Sequence, residues 1–143
     1  ILIPTRAGEA QRFQRKLAAG ASFAITQMLF GTSILSSLRQ LHLQGHKPEI
    51  ILSFAYIPRA ELEKGLIRWL IATDTGPAQE EMRWVEQVAG LPYSQKKQRL
   101  VDLYRCLREG VRDLGFPVGL NFECPYGVSE PALECLAEML EAG

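Results

Sequence analysis

The apolar residues of this chain alternate between short continuous runs and stretches with helical spacing. The run Phe23–Phe30 is rich in strand-forming residues, too short for an average helix and too continuous for a strand with one exposed face. Such a run is typical of a strand in a parallel sheet that is covered on both faces. Three further segments are predicted as strands or strand ends: Ile1–Pro4, Glu49–Phe54 and Phe116–Cys124.

Between the strands, apolar residues recur three and four positions apart, which is the spacing of a helix with one buried face. The first predicted helix is Ala10–Ala19, ended by Gly20, and the second is capped by Thr32 or Ser33 and ended by Gly45. A short helix runs from Pro77 to Gly90, after the turn Asp74–Pro77, and a long helix is capped by Ser94. The last helix starts at Ser129 and is predicted to bury Leu133, Leu136, Ala137 and Leu140. The segment Ala60–Ile71 mixes helix formers with a dense apolar cluster, and its state stays open.

Strand and helix thus follow one another about four times. Parallel strands need crossover connections, so this order predicts a parallel α/β sheet covered by helices. Four such units are half of a (β/α)8 barrel. A half-barrel alone would expose two sheet edges, and we therefore expect a partner half to cover them. The chain starts at Ile1 without an initiator Met, so we expect residues 1–143 to be a single domain within a longer polypeptide.

Composition narrows the classes of partner. Sixteen basic and sixteen acidic side chains cancel in 143 residues, so no net charge favours a nucleic acid or a membrane surface. No apolar run approaches the roughly 20 residues that span a bilayer, and no signal peptide opens the chain. We therefore expect a small-molecule ligand, held by local groups, and neither a nucleic acid nor a membrane as partner.

The cysteines and histidines do not form a metal motif. His42 and His46 are four apart, but Gly45 ends the helix between them and no third ligand is evident, so we predict no metal site. The three cysteines are widely spaced, which favours reduced thiols in a cytoplasmic protein: Cys106, Cys124 and Cys135.

The candidate chemistry lies where strands end. Thr26 and Gln27 interrupt the run Phe23–Phe30 near its exit, which is the active-site end of a barrel strand. A buried amide needs a hydrogen-bonding partner, which is either a ligand or a neighbouring main chain. Glu123 ends the last strand, where it is either a rim carboxylate in solvent or a weak candidate for acid–base catalysis.

Between Phe13 and Phe30 the chain resembles the methylenetetrahydrofolate reductase family. In that family a helix ending in K-x-x-A-G-A precedes a strand ending in T-Q, and the matching residues here are Lys16, Ala19, Gly20, Ala21, Thr26 and Gln27. Glu49–Leu52 and Gly115–Phe122 resemble two later strands of the family. The resemblance covers most of the chain in order and implies the second half of a (β/α)8 TIM barrel.

The resemblance implies a flavin-dependent oxidoreductase of one-carbon folate metabolism that serves methionine biosynthesis, with FAD as cofactor and NAD(P)H as electron donor. Gln27 would contact the folate pterin or the nicotinamide, whose ring edges suit an amide. Arg15 and Lys16 match positions that meet the FAD, although a solvated helix face is their alternative. Tyr56 and Asn121 are weaker candidates for the wall of the substrate pocket, and we expect an oligomer.

Three departures from the family pattern keep other functions open. The aromatic that stacks on the folate has Tyr56 as its one plausible replacement here. Glu123 stands near the family's basic residue for the folate tail, and an acid would repel that glutamate tail. The family's catalytic carboxylates lie before position 1, so the catalytic residues stay unknown. The alternatives are a non-catalytic barrel subunit for binding or assembly and a barrel methyltransferase that handles a methylated pterin.

Overall fold

The computed structural model describes residues 1–70 and 76–143 of the chain. Within these ranges the elements are α1 (Glu9–Ala18), β1 (Phe23–Met28), α2 (Ile34–Leu43), β2 (Glu49–Ala55), α3 (Ala60–Leu70), α4 (Gly76–Val88), α5 (Tyr93–Asp113), β3 (Val118–Glu123) and α6 (Glu130–Glu141). The segment left open by the sequence is therefore helical as far as Leu70. Ile71 and the first two residues of the predicted turn Asp74–Pro77 lie outside the described residues.

The strands form one parallel sheet in the order β1-β2-β3. Helices join consecutive strands, as parallel pairing requires. The predicted strand exit Ile1–Pro4 contributes a parallel bridge between Leu2 and Thr26, on the outer side of β1. The parallel α/β class predicted from the sequence is confirmed, and the arrangement is consistent with part of a barrel.

The main core lies between one face of the sheet and the helices α1, α2, α5 and α6. Its strand residues alternate along β1 and β2, because successive side chains of a strand point to opposite faces. The central members are Ala24, Ile50, Leu52 and Phe54 from the strands and Phe13, Leu38, Leu107 and Met139 from the helices.

The opposite face of the sheet is less covered. Phe23 is 51% exposed and Ile25 is 36% exposed on β1, although both are large apolar residues. Nearer the carboxyl ends of the strands, α3 and α4 form a second, smaller hydrophobic cluster that includes Phe30, Ala55 and Ile67. The sheet thus has one face packed by helices and one face that is open along part of its length.

The buried face predicted for α6 is wrong. Leu133 and Leu140 are exposed, and the buried residues of this helix are Ala132, Cys135 and Met139. Both sets have helical spacing, so α6 carries apolar residues on two sides. It follows the edge strand β3 and packs on α5, and only one of the two sides has a neighbour in the described parts of the chain.

The three predicted serine caps have different outcomes. Ser129 is confirmed, since its Oγ accepts a hydrogen bond from the main-chain N–H of Ala132 at 3.4 Å. Ser33 occupies the N-cap position of α2, but its side chain makes no capping bond. Ser94 is wrong as a cap, because α5 begins at Tyr93 and its N-cap residue is Pro92.

None of the helices within residues 1–70 and 76–143 is long and apolar enough to cross a membrane.

Candidate functional site

Polar side chains from β2 and β3 meet on the face of the sheet opposite the main core, which is the face that carries Phe23 and Ile25. Ser53 pairs with Asn121 in the β2–β3 register, and Ala55 pairs with Glu123, so these four residues share a face. The Nδ2 of Asn121 donates to the Oγ of Ser53 and to the Oε1 of Glu123, both at 3.1 Å. The predicted site residues Asn121 and Glu123 are therefore in contact, and Asn121 orients the carboxylate.

The pairing of β1 with β2 contains a bulge at the T-Q dipeptide. Ile25 pairs with Ile51 and Met28 pairs with Ser53, so Thr26 and Gln27 together oppose a single residue of β2. The Oγ1 of Thr26 accepts the main-chain N–H of Ser53 at 2.9 Å. Thr26 is buried, and its hydroxyl stands in for a main-chain acceptor that the bulge removes from the ladder.

Gln27 is half-buried near the carboxyl end of β1. Its main-chain N–H donates to the carbonyl of Leu2 at 2.9 Å, and its side-chain Nε2 donates to the carbonyl of Leu70 at 3.3 Å. Leu70 is the last residue of α3, and it packs in the cluster that contains Met28 and Ala55. The amide thus lies close to the face that carries Ser53 and Asn121, with a main-chain carbonyl as one partner.

Tyr56 lies on the other side of the sheet, against α5. Its ring packs edge-on against Tyr93, with ring centroids 5.7 Å apart, and Phe54 packs in the same way on Tyr104 at 5.6 Å. Burial raises the pKa of the Tyr56 hydroxyl, and the neighbouring Cys135 and Glu63 raise it further. The structure does not bring this ring beside Asn121.

Arg15 and Lys16 are exposed in the last turn of α1. The Nζ of Lys16 donates to the carbonyl of Ile1 at 3.2 Å. Four residues separate α1 from β1, so this turn lies beside the amino-terminal end of the strand, whereas Gln27 is near the carboxyl end. The two cations are therefore separated from the other predicted site residues by most of the length of β1.

A buried carboxylate that the sequence reasoning missed holds the loop between β1 and α2. Glu81 of α4 is 1% exposed and accepts the main-chain N–H of Phe30 at 2.6 Å and the hydroxyl of Ser33 at 2.5 Å. A Cβ at Gly31 would lie 3.2 Å from the Oε1 of Glu81, so glycine allows this close approach. Burial raises the pKa of Glu81 to about 7, although the hydrogen bonds from Ser33 and Phe30 oppose the shift.

The adjacent Glu80 binds the same loop from its outer side. Its Oε1 accepts the hydroxyl of Thr32 at 2.9 Å and the main-chain N–H of Thr32 at 3.3 Å. Both predicted cap residues of α2 therefore direct their hydroxyls to α4 carboxylates.

A buried ion pair was also missed. The Nζ of Lys96 on α5 lies 2.5 Å from the Oε2 of Glu63 on α3 and donates to the carbonyl of Ile57 at 2.8 Å. Burial raises the pKa of Glu63, while the hydrogen bond and the charge of Lys96 oppose that shift. The crevice beside this pair, also lined by Tyr56 and Trp84, is too narrow to hold a water molecule.

The missed residues share a signal in the sequence. Each is a charged residue in register with an apolar stripe: Glu63 precedes the buried Ile67 by four positions, Glu81 precedes Val85 by four, and Lys96 precedes Leu100 by four. A charge at such a position is buried only with a partner.

The described residues contain no group of three or more His, Cys, Asp or Glu side chains that could hold a metal ion. His42 packs edge-on against Phe116, with ring centroids 6.5 Å apart.

Comparison with known proteins bears on the whole chain. The model of a protein family described as mycobacterial methylenetetrahydrofolate reductase matches residues 1–142. A search of curated proteins found no match.

Proposed function

Because this chain belongs to the methylenetetrahydrofolate reductase family, we propose that it is part of a flavin-dependent oxidoreductase that reduces a one-carbon folate with electrons from NAD(P)H. The match over residues 1–142 confirms the resemblance predicted from the K-x-x-A-G-A and T-Q segments. That match is the observation that carries the proposal.

We propose that residues 1–143 form one domain and supply the second half of a (β/α)8 barrel. Three features support this: consecutive strands are neighbours in a parallel sheet, Leu2 extends the sheet beyond β1, and Phe23 and Ile25 leave apolar surface on the face that would line a barrel interior. The partner is then the missing half, from the same polypeptide or from another subunit.

The substrate-binding residues in this proposal are Gln27 and Asn121. Both lie near the carboxyl ends of parallel strands, where barrel enzymes place their sites. Gln27 keeps one N–H and its carbonyl oxygen for the edge of a pterin or of a nicotinamide, and Asn121, whose Nδ2 donates to Ser53 and Glu123, keeps its carbonyl oxygen. Tyr56 supports the wall of the substrate pocket only from the other side of the sheet, because its ring packs against Tyr93.

Arg15 and Lys16 fit an anionic cofactor. Both are exposed cations, and their separation from Gln27 along β1 suits an extended dinucleotide such as FAD, whose adenine and central diphosphate lie away from its flavin ring. When bound, a flavin supplies hydride transfer between nicotinamide and folate. The part of this chain is then to hold the diphosphate with the two cations and the reacting heterocycle with Gln27.

Glu123 is assigned no more than an accessory role. Asn121 holds its carboxylate on the open face of the sheet, at 3.1 Å, where it can meet a bound heterocycle. The same negative charge opposes the glutamate tail of a folate. The catalytic residues are expected on the missing half of the barrel.

One observation favours the second candidate, a non-catalytic barrel subunit for binding or assembly. The amide of Gln27 already donates to Leu70, and the ring of Tyr56 already packs on Tyr93. Asn121 likewise donates to Ser53 and Glu123, so all three residues that the resemblance implies for the substrate pocket have protein partners. A flavin measurement on the full-length protein separates the two candidates.

The first test is the visible absorbance spectrum of the purified full-length protein, in which bound FAD gives its own bands. We expect the purified full-length protein to carry FAD, or to bind it on reconstitution. A protein that does neither would remove the oxidoreductase proposal and leave the non-catalytic subunit.

Gln27→Ala tests the assigned binding residue. If the amide holds the heterocycle, the affinity for NADH falls by about 1–3 kcal/mol, which is roughly fivefold to 150-fold, with little change in the free energy of unfolding. The exposed Gln44 provides the matched control Gln44→Ala, which should alter neither quantity. A destabilised Gln27 variant with unchanged NADH affinity would make Gln27 a structural amide.

A further inference from the structure

Helix α3 lies across the carboxyl ends of the strands that carry the candidate site. At its end, the carbonyl of Leu70 accepts the amide of Gln27 from β1. Near its start, the carbonyl of Leu62 accepts the hydroxyl of Tyr126, which follows β3, at 3.4 Å. The helix therefore reaches from the strand that bears Gln27 to the loop that follows Glu123.

The apolar contacts of α3 are made with the smaller hydrophobic cluster and not with the main core. Its residues Leu62, Leu66, Ile67 and Leu70 belong to the smaller cluster with Met28 and Ala55, and not to the cluster that joins the sheet to α1, α2, α5 and α6. The two hydrogen bonds at its ends are long, at 3.3 and 3.4 Å. The position of α3 over the site thus depends on a further link to the rigid part of the molecule.

Lys96 supplies that link. It belongs to α5, whose residues Leu100, Val101 and Leu107 are buried in the main core. Its ammonium reaches Glu63 of α3 at 2.5 Å and the carbonyl of Ile57, just beyond β2, at 2.8 Å. Both groups therefore meet at one cation whose helix is fixed to the sheet.

A buried ion pair of this kind is poor evidence for a purely stabilising role. Removing two charges from water costs about as much free energy as their attraction returns, so an apolar pair of similar size is often as stable. An ion pair that also makes a directed hydrogen bond fixes the relative position of its partners, because Lys96 must contact both Glu63 and the carbonyl of Ile57. The Lys96–Glu63 pair therefore fixes the position of α3 relative to Gln27.

We propose that Lys96 is a positioning residue of the candidate site, which fixes α3 through Glu63 and, through the last carbonyl of α3, orients the amide of Gln27. One N–H of that amide is directed to Leu70, which leaves its second N–H and its carbonyl oxygen to face a ligand edge. This role rests on the proposed function only where it concerns ligand binding.

The test compares the double variant Lys96→Met/Glu63→Gln with Lys97→Met/Glu138→Gln in the full-length protein. The first removes both charges together, so no unpaired buried charge is left. The second removes the adjacent Lys–Glu pair, which joins α5 to α6 at 2.5 Å and does not contact α3. Lys96→Arg, which keeps the cation, is the rescue variant.

Two measurements need no ligand. Hydrogen exchange of the α3 amides should be at least tenfold faster in Lys96→Met/Glu63→Gln, with exchange in α5 unchanged. The side-chain amide signal of Gln27, assigned in the ¹⁵N–¹H spectrum by its loss in Gln27→Ala, should shift in the same variant. The control pair should leave both readouts unchanged, and Lys96→Arg should restore them.

The third measurement is the affinity for NADH. We expect a fall of about tenfold in Lys96→Met/Glu63→Gln, and the combination with Gln27→Ala should lose no more affinity than Gln27→Ala alone, because the two changes disable one contact. Unchanged α3 exchange, an unchanged Gln27 signal or additive losses of affinity would each overturn the positioning role. A wild-type protein that binds no NADH would instead contradict the proposed function, and the exchange and the Gln27 signal would still decide the role of Lys96.

Discussion

At the residue scale, Glu81 couples the loop after β1 to pH. Its pKa is raised from 4.5 to about 7, chiefly by burial, so the folded protein binds more protons than the unfolded chain between about pH 4.5 and 7. The free energy of unfolding therefore falls as the pH rises through this interval. Above about pH 7 the full cost of burying the charged carboxylate is present. The charged form is held by Phe30 and Ser33 but has lost its water.

Glu81→Gln removes this titration. We expect the stability of the variant relative to the wild type to increase with pH, by on the order of 3 kcal/mol between pH 4.5 and pH 8. Urea unfolding at four pH values across this range measures the difference. Glu80→Gln controls for the loss of another carboxylate contact to the same loop. A difference between Glu81→Gln and wild type that does not vary with pH would contradict the shifted pKa.

At the element scale, the sequence predicted the order and type of the other strands and helices because each carries its own period, but it left open the state of the segment that forms α3. It did not predict the bulge at Thr26 and Gln27, since a bulge depends on which residues of β2 lie opposite. It also missed Glu63, Glu81 and Lys96, because a charge inside an apolar stripe is interpretable only when its partner on another helix is known.

The bulge gives a prediction about β1 and β2. Thr26→Val keeps the shape of the side chain but removes the acceptor of the Ser53 N–H, which is buried, so the variant should lose about 1–3 kcal/mol of unfolding free energy. Thr26→Ser keeps the hydroxyl and should lose clearly less. Chemical denaturation of the two variants side by side is the measurement. Equal losses would mean that the hydroxyl does not replace a ladder acceptor.

At the scale of the whole molecule, the wrongly predicted buried face of α6 and the exposed apolar residues of the sheet support the same interpretation. The sequence placed Leu133 and Leu140 in the core, and the structure exposes both. Phe23 and Ile25 are similarly apolar and uncovered on the open face of the sheet. The pattern of the sequence is that of a chain with neighbours on these sides, which is what the half-barrel proposal supplies.

Ile25→Lys tests that proposal in the full-length protein. Ile25 lies in the middle of β1, paired with Ile51, and in a closed barrel its side chain would be enclosed. A lysine there would have to bury its charge, at a cost of about 3 kcal/mol or more in the free energy of unfolding. Leu43→Lys is the matched control, because Leu43 is 83% exposed at the end of α2, and it should change stability by no more than about 0.5 kcal/mol. Thermal and urea unfolding of both variants give the comparison. If Ile25→Lys is as mild as Leu43→Lys, the open face is in contact with water in the complete protein, and no second half closes over it.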